Sequence, residues 1–136
     1  MMDKEVFGND PVAYALKRIG GKWKPHLLWG ISHDEPMRFS KAMNAIPITE
    51  RVLAQTLHEL EADGFIHREA FPEIPPRVEY YLTDMGRSAV ELLHQIYKWG
   101  RERMLENGLE PDPLGELHRG YITQEEFNKK AGENSK

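Results

Sequence analysis

The histidines and one glycine–lysine cluster are the first residues to consider for chemistry. No two of the six histidines stand four residues apart, so the HExxH pattern of a zinc protease is missing. Gly20-Gly21-Lys22 lacks the spacing of a phosphate-binding loop. The absence of cysteine excludes disulfides and thiolate metal ligands from these 136 residues. We therefore expect no enzyme activity, no metal site and no cofactor.

A different chemistry, the reading of DNA, is predicted by one amphipathic stretch. Leu53, Leu57 and Leu60 recur at helical spacing and would face a core. Thr49 stands where an N-cap belongs, and Gly64 follows the last periodic residue. The pattern predicts a capped helix whose outer face is polar and open to a partner.

The outward side chains of that helix are the candidates for base contacts. In the major groove, Arg favours guanine edges and Gln favours adenine edges. Phosphate contacts would come from helix N-termini and neighbouring cations, and the wing cation would reach flanking backbone or the minor groove. Taken alone, each such residue could equally be a solvated surface residue. The predicted DNA-binding residues are Lys22, Lys24, Arg38, Ser40, Lys41, Thr49, Glu50, Arg51, Gln55, His58 and Arg77.

The preceding residues supply the elements that would position this helix. Asp10-Pro11 predicts an N-cap followed by a first helix, and residues 22–31 a second one. A short strand at 37–39 leads into a third helix at about 39–45. Pro47 forbids its continuation, so the third and fourth helices are joined tightly. Such a pair is a helix-turn-helix.

The following residues predict a wing and a long helix. Two β-prone runs, 65–71 and 78–82, flank a proline-rich tip that carries Arg77, which indicates a β-hairpin with a basic tip. Residues 84–106 have a broad apolar stripe at helical spacing. The predicted fold is therefore mainly α with a small β-hairpin, a winged helix-turn-helix over 1–106. Residues 107–136 are expected to form a turn-rich extension with one short helix at about 121–130.

The charge distribution weakens an objection to DNA binding. A net charge of −4 argues against a nucleic-acid partner. Between Lys17 and Arg51, however, seven basic residues stand against three acidic ones, whereas residues 104–136 carry four basic residues against seven acidic ones. No apolar run approaches the ~18 residues of a membrane span, and the first ten residues lack an apolar signal core. We therefore expect a cytoplasmic protein without a membrane partner.

Four stretches resemble the HxlR family of bacterial winged-helix regulators, which are relatives in fold of the MarR regulators. They are residues 10–31, 37–69 and 72–88, and the helix that ends in Tyr97-Lys98-Trp99-Gly100. Their order and spacing match the family over most of the first 100 residues. The resemblance implies a transcriptional regulator that acts as a homodimer, with its fourth helices in successive major grooves of double-stranded DNA at an imperfect palindrome.

The resemblance also implies that the N- and C-terminal helices of the domain are dimerisation helices. The interface residues would be Val12, Leu16, Leu92, Leu93, Ile96, Tyr97, Trp99 and Met104. Many relatives carry a sensing cysteine where this chain has Asp10, so we expect an effector that is not thiol-based. A small-molecule effector is left open. The alternative function is a winged-helix module that binds a protein and not DNA, which suits the net charge and Glu50.

Overall fold

The computed structural model describes residues 9–134. The expectation that the first ten residues lack an apolar signal core falls mostly on residues 1–8, which lie outside the described residues. The described elements confirm the predicted fold class: helices predominate, and three short strands form one antiparallel sheet. In chain order they are α1 (Pro11–Ile19), α2 (Lys24–His33), β1 (Met37–Arg38), α3 (Phe39–Ala45), α4 (Glu50–Ala62), β2 (Ile66–Phe71), β3 (Arg77–Leu82), α5 (Asp84–Glu106), α6 (Pro113–His118) and α7 (Gln124–Asn134).

The chain divides into two compact units within α5. The first unit ends at Leu93 and the second begins at His94. The predicted domain boundary between residues 106 and 107 stays a prediction. Within residues 9–134, no helix combines the length and apolar character that a membrane span requires.

Helix starts in the first unit follow the predicted capping chemistry. The Asp10 carboxylate accepts a hydrogen bond from the Val12 amide at 3.1 Å, so this residue acts as the N-cap of α1. Thr49 does the same for α4, accepting from the Val52 amide at 3.2 Å. The second helix begins at Lys24, two residues later than predicted, with Pro25 in its first turn.

The core of the first unit holds α4 against α2 and the sheet. Leu53, Leu57 and Leu60 are almost completely buried, as are Leu28 and Ile31 of α2. Burying a leucine side chain contributes about 1.5–3 kcal/mol, so this cluster fixes which face of α4 remains outside.

The three strands are ordered β1-β3-β2, and alternate residues of β3 point to opposite faces. Tyr80 and Leu82 are buried in the core, whereas Arg77, Glu79 and Tyr81 lie on the outer face. In the register of the sheet, Glu79 of β3 lies opposite Arg38 of β1 on one side and opposite Glu69 of β2 on the other. The sheet therefore presents a polar outer face, which we call the outer sheet face.

The second unit contains a helix that sequence reasoning missed. Asp112 accepts a hydrogen bond from the Gly115 amide at 2.8 Å and caps α6, and Pro113 occupies its first position. The short helix expected at 121–130 is present as α7, which starts at Gln124 and extends beyond the predicted end. Its capping box is formed by Thr123 and Glu126, each of which accepts from the other's amide.

Candidate DNA-binding surface

The outer face of α4 is polar and open. Because the leucines of α4 face the core, Arg51, Ala54, Gln55 and His58 are left exposed on the opposite side. None of the ion pairs within residues 9–134 involves Arg51. Its guanidinium is therefore available to an external acceptor, and its contact with DNA stays a prediction.

A chain of polar contacts ties part of this face to α2. Gln55 donates to Glu59 at 3.2 Å, and the Lys24 ammonium lies 3.1 Å from the other oxygen of Glu59. These contacts lower the pKa of Glu59, the hydrogen bond from Gln55 having the largest effect. The Lys24 side chain is only 13% exposed. Lys24 is thus held inside the protein, contrary to its predicted position as a phosphate-contacting cation.

The helix N-termini hold the remaining predicted phosphate contacts. Ser40 and Lys41 are exposed in the first turn of α3, and the Lys41 ammonium pairs with Asp34. Lys22 is exposed and its ammonium lies 4.8 Å above the Trp23 ring. Glu50 is exposed in the first turn of α4, where a carboxylate suits the helix dipole. That stabilising position accounts for Glu50 without a DNA contact.

The two predicted arginines of the sheet are paired with carboxylates. Arg77 lies 3.3 Å from Glu73 and 3.3 Å from Glu79, and its guanidinium stacks 4.1 Å from the Phe71 ring. Arg38 lies 3.9 Å from Glu79. The Arg77 side chain folds back onto the outer sheet face, and its contact with DNA stays a prediction that would require these partners to be exchanged.

The tip of the wing exposes one large apolar side chain. Ile74 lies between β2 and β3 and is fully exposed. Sequence reasoning did not select it, although an isoleucine flanked by prolines, with no strand or helix periodicity to bury it, is a usable signal. The tip thus offers van der Waals contact where a cation was predicted.

A groove of about 470 Å³ lies beside α4 and brings in a further residue that sequence reasoning missed, Arg68 of β2. Its lining mixes apolar and charged side chains, and burial raises the pKa of the Tyr80 hydroxyl in it. The groove is lined by Phe39, Ala54, Leu57, His58, Glu61, Arg68, Val78 and Tyr80.

The predicted dimer residues fall into two groups. Val12 and Leu16 of α1 are exposed, as are Leu92, Ile96 and Trp99 of α5, with Trp99 at 63%. The others are covered within the chain itself. Leu93 is buried in the core of the first unit, Met104 is partly covered, and Tyr97 donates to Glu116 at 2.7 Å in the second unit. Leu93 and Tyr97 are therefore internal packing residues in this structure.

Residues 9–134 contain no cluster of three or more histidine, aspartate or glutamate side chains placed to hold a metal ion.

Comparison with known proteins places this surface in a family. The profile described as HxlR-like helix-turn-helix matches residues 18–107. An HTH-type transcriptional regulator of Methanothermobacter thermautotrophicus is 47% identical over 91 residues, which are 66% of this chain and 69% of that protein. The structure of a transcriptional regulator of the MarR family from Enterococcus faecalis V583 is similar with a TM-score of 0.63 at 37% identity, covering 79% of this chain and 94% of that one.

One structural relative disagrees with the expectation about the effector. The redox regulator HypR in its reduced form is 42% identical with a TM-score of 0.65, covering 72% of this chain and 99% of that one. A redox regulator this similar conflicts with the expectation of an effector that is not thiol-based, although the chain has no cysteine. By its matching profile, its relatives and its fold, the chain belongs to the HxlR family of helix-turn-helix transcriptional regulators.

Proposed function

We propose that the protein binds double-stranded DNA sequence-specifically as a homodimer at an imperfect palindrome, with α4 in the major groove. The observation that carries this proposal is the open outer face of α4, where Arg51 is exposed and outside every ion pair of the described chain. A helix of 13 residues is about 20 Å long and fits the ~12 Å wide groove. The guanidinium of Arg51 carries two parallel N–H donors, a fork that matches the two acceptors on the major-groove edge of guanine.

Three cations per subunit bring positive charge to the DNA in this arrangement. Arg51 is the second residue of α4, Lys41 lies in the first turn of α3, and Lys22 precedes α2. Lys41 must exchange Asp34 for a phosphate, which costs little because both side chains are more than half exposed. Six such cations in a dimer correspond to a slope of roughly −5 for log K against log salt.

The homodimer is supported by exposed apolar side chains on two helices. Val12 and Leu16 are one helical turn apart on α1, and Leu92, Ile96 and Trp99 follow the same spacing on α5. Large apolar side chains grouped on the surface mark sites of association. Two copies would set their α4 helices about 34 Å apart, the repeat of one DNA turn. Light scattering should give twice the 15.8 kDa mass of one chain.

The decisive experiment measures binding to the DNA upstream of the protein's own gene and to a scrambled duplex of equal length. Arg51→Ala should lower the preference for the specific duplex by about tenfold or more, since a bidentate base contact contributes ~1–3 kcal/mol of discrimination. Arg51→Lys keeps the charge but loses the fork, so the salt slope should persist while specificity falls. Lys129→Ala removes one positive charge from the exposed surface of α7 and serves as the control.

One observation favours the second candidate, a winged helix that binds a protein instead of DNA. Ile74 at the wing tip is fully exposed, and Arg77 beside it is paired internally. Both duplexes would then bind weakly with a salt slope near zero, and Arg51→Ala would change nothing. That result would reject the DNA-binding proposal.

A further inference from the structure

Glu79 lies at the centre of the outer sheet face and contacts two of the arginines that the sequence assigned to DNA. Arg38 stands directly opposite it on β1, a cross-strand position at which side chains on one face meet. Arg77 and Tyr81 flank it two residues away on β3, so they share its face. The register of β1 and β3 thus gathers these four side chains.

The contacts around this carboxylate are asymmetric. One oxygen lies 3.3 Å from Arg77 and 3.9 Å from Arg38, while the other accepts from the Tyr81 hydroxyl at 2.7 Å. Glu79 itself is 7% exposed, whereas the side chains of Arg77 and Arg38 are 29% and 56% exposed. The acid is covered by the arginines, and the arginines border the solvent.

We propose that Glu79 is a specificity-determining residue, an internal counter-ion that keeps Arg38 and Arg77 from binding phosphates of arbitrary DNA. This inference rests on the proposed DNA-binding function. Non-specific affinity comes from cations that neutralise phosphates. An arginine that leaves Glu79 for a phosphate leaves a buried carboxylate short of a partner, so the exchange is opposed.

The position of Arg38 makes this restraint relevant to DNA. It is the residue immediately before α3, next to Ser40 and Lys41 at the start of the helix-turn-helix. Its side chain would add to the phosphate contacts there if Glu79 did not attract it. Glu79 therefore limits the positive charge beside the reading helix and leaves Arg51 to dominate binding.

The test is Glu79→Gln, measured with a scrambled duplex by fluorescence anisotropy over a range of salt. Freeing two arginines per subunit should tighten non-specific binding about three- to tenfold at low salt. It should also steepen the salt slope by roughly 2 to 4 for a dimer. Glu69→Gln is the matched control, because Glu69 lies opposite Glu79 on the same face and contacts His67 at 3.3 Å. It makes the same charge change, and its slope should equal that of the wild type.

A slope for Glu79→Gln equal to that of Glu69→Gln would overturn the proposal. Circular dichroism establishes whether the variant is folded. If Glu79→Gln is not folded, non-specific DNA binding by the double variant Arg38→Gln/Arg77→Gln provides the test instead. It should keep non-specific affinity within about twofold, and a loss beyond about fivefold would show that these arginines already bind phosphates. If the wild type showed no salt-dependent binding to either duplex, the DNA-binding function and this role of Glu79 would both be rejected. If the wild type binds DNA but Glu79→Gln leaves the salt slope unchanged, only this role of Glu79 is rejected.

Discussion

Two buried glutamates, one in each unit, are surrounded by the same kinds of residue and differ in what those residues can do. Glu79 on the outer sheet face has two arginines and a tyrosine hydroxyl around it. Glu116 on α6 accepts from the Tyr97 hydroxyl at 2.7 Å and from Arg101. Both acids are nearly inaccessible, at 7% and 5% exposure.

The distances separate the two sites. The Arg101 guanidinium nitrogen lies 2.7 and 2.9 Å from the two oxygens of Glu116, and its side chain is 22% exposed. Its guanidinium also stacks on the Tyr121 ring at 3.9 Å. At Glu79 the arginines are farther away and more exposed. Short, enclosed charge-assisted contacts fix both partners in place. The longer contacts at Glu79 hold the arginines less tightly, and there the exchange with a phosphate is opposed mainly because it would leave the buried carboxylate short of a partner.

The largest effect on stability is therefore expected for Glu116→Ala. The change leaves Arg101 and the Tyr97 hydroxyl without their shared acceptor, which should lower the free energy of unfolding of the second unit by about 2–4 kcal/mol. Hydrogen exchange of the α6 amides measures this directly. Glu110→Ala is the control, because its carboxylate is exposed and pairs with Lys130 only at 3.8 Å. If the α6 amides lost equal hydrogen-exchange protection in both variants, the buried contacts of Glu116 would not be what stabilises the second unit.

An intermediate effect is expected when the pH is raised. Burial, followed by the hydrogen bond to Glu116, raises the pKa of the Tyr97 hydroxyl above its ordinary value of about 10. Folding therefore favours the protonated hydroxyl, and its stabilising contribution is complete below pH ~10. That contribution is lost progressively as the pH rises above this value towards the folded-state pKa.

Denaturant unfolding between pH 8 and 11 measures this loss. The wild type should lose stability in the alkaline part of this range, and Tyr97→Phe should show a flatter profile because it has no proton to release. Tyr121→Phe is a suitable control, since Tyr121 stacks on Tyr97 at 6.3 Å between ring centres and lies in the same unit. Parallel profiles for wild type and Tyr97→Phe would assign the alkaline loss to other groups.

The comparison also indicates what a sequence can predict here. The leucine spacing and Thr49 cap of α4 are local signals, and the structure contains that helix as expected. The same Asp-Pro signal that predicted α1 stands at Asp112-Pro113, but a helix of six residues has too short a stripe to be recognised by periodicity. Local signals therefore identified the other described elements, including the seven-residue α3, and missed α6.

Which cations near the exposed face of α4 have internal partners was harder to predict than the position of that face. That Arg51 faces outward follows from the helical period alone. The contact of Arg38 with Glu79 depends on pairing between two strands about forty residues apart in the chain. The sequence of either strand alone does not determine the register of that pairing. Sequence reasoning therefore located the exposed polar face of α4 but overestimated how many neighbouring cations lack an internal partner.

The smallest effect is expected for Tyr81→Phe, which tests whether Glu79 acts through its charge. The Tyr81 hydroxyl donates to Glu79, and this hydrogen bond is the main reason that the pKa of Tyr81 is raised. Phenylalanine removes the hydrogen bond but leaves the carboxylate charged and both arginines in place. The thermal midpoint should fall slightly, and the salt slope for scrambled DNA should match the wild type. A slope as steep as that expected for Glu79→Gln would mean that the hydroxyl, by orienting the carboxylate, is what holds the arginines.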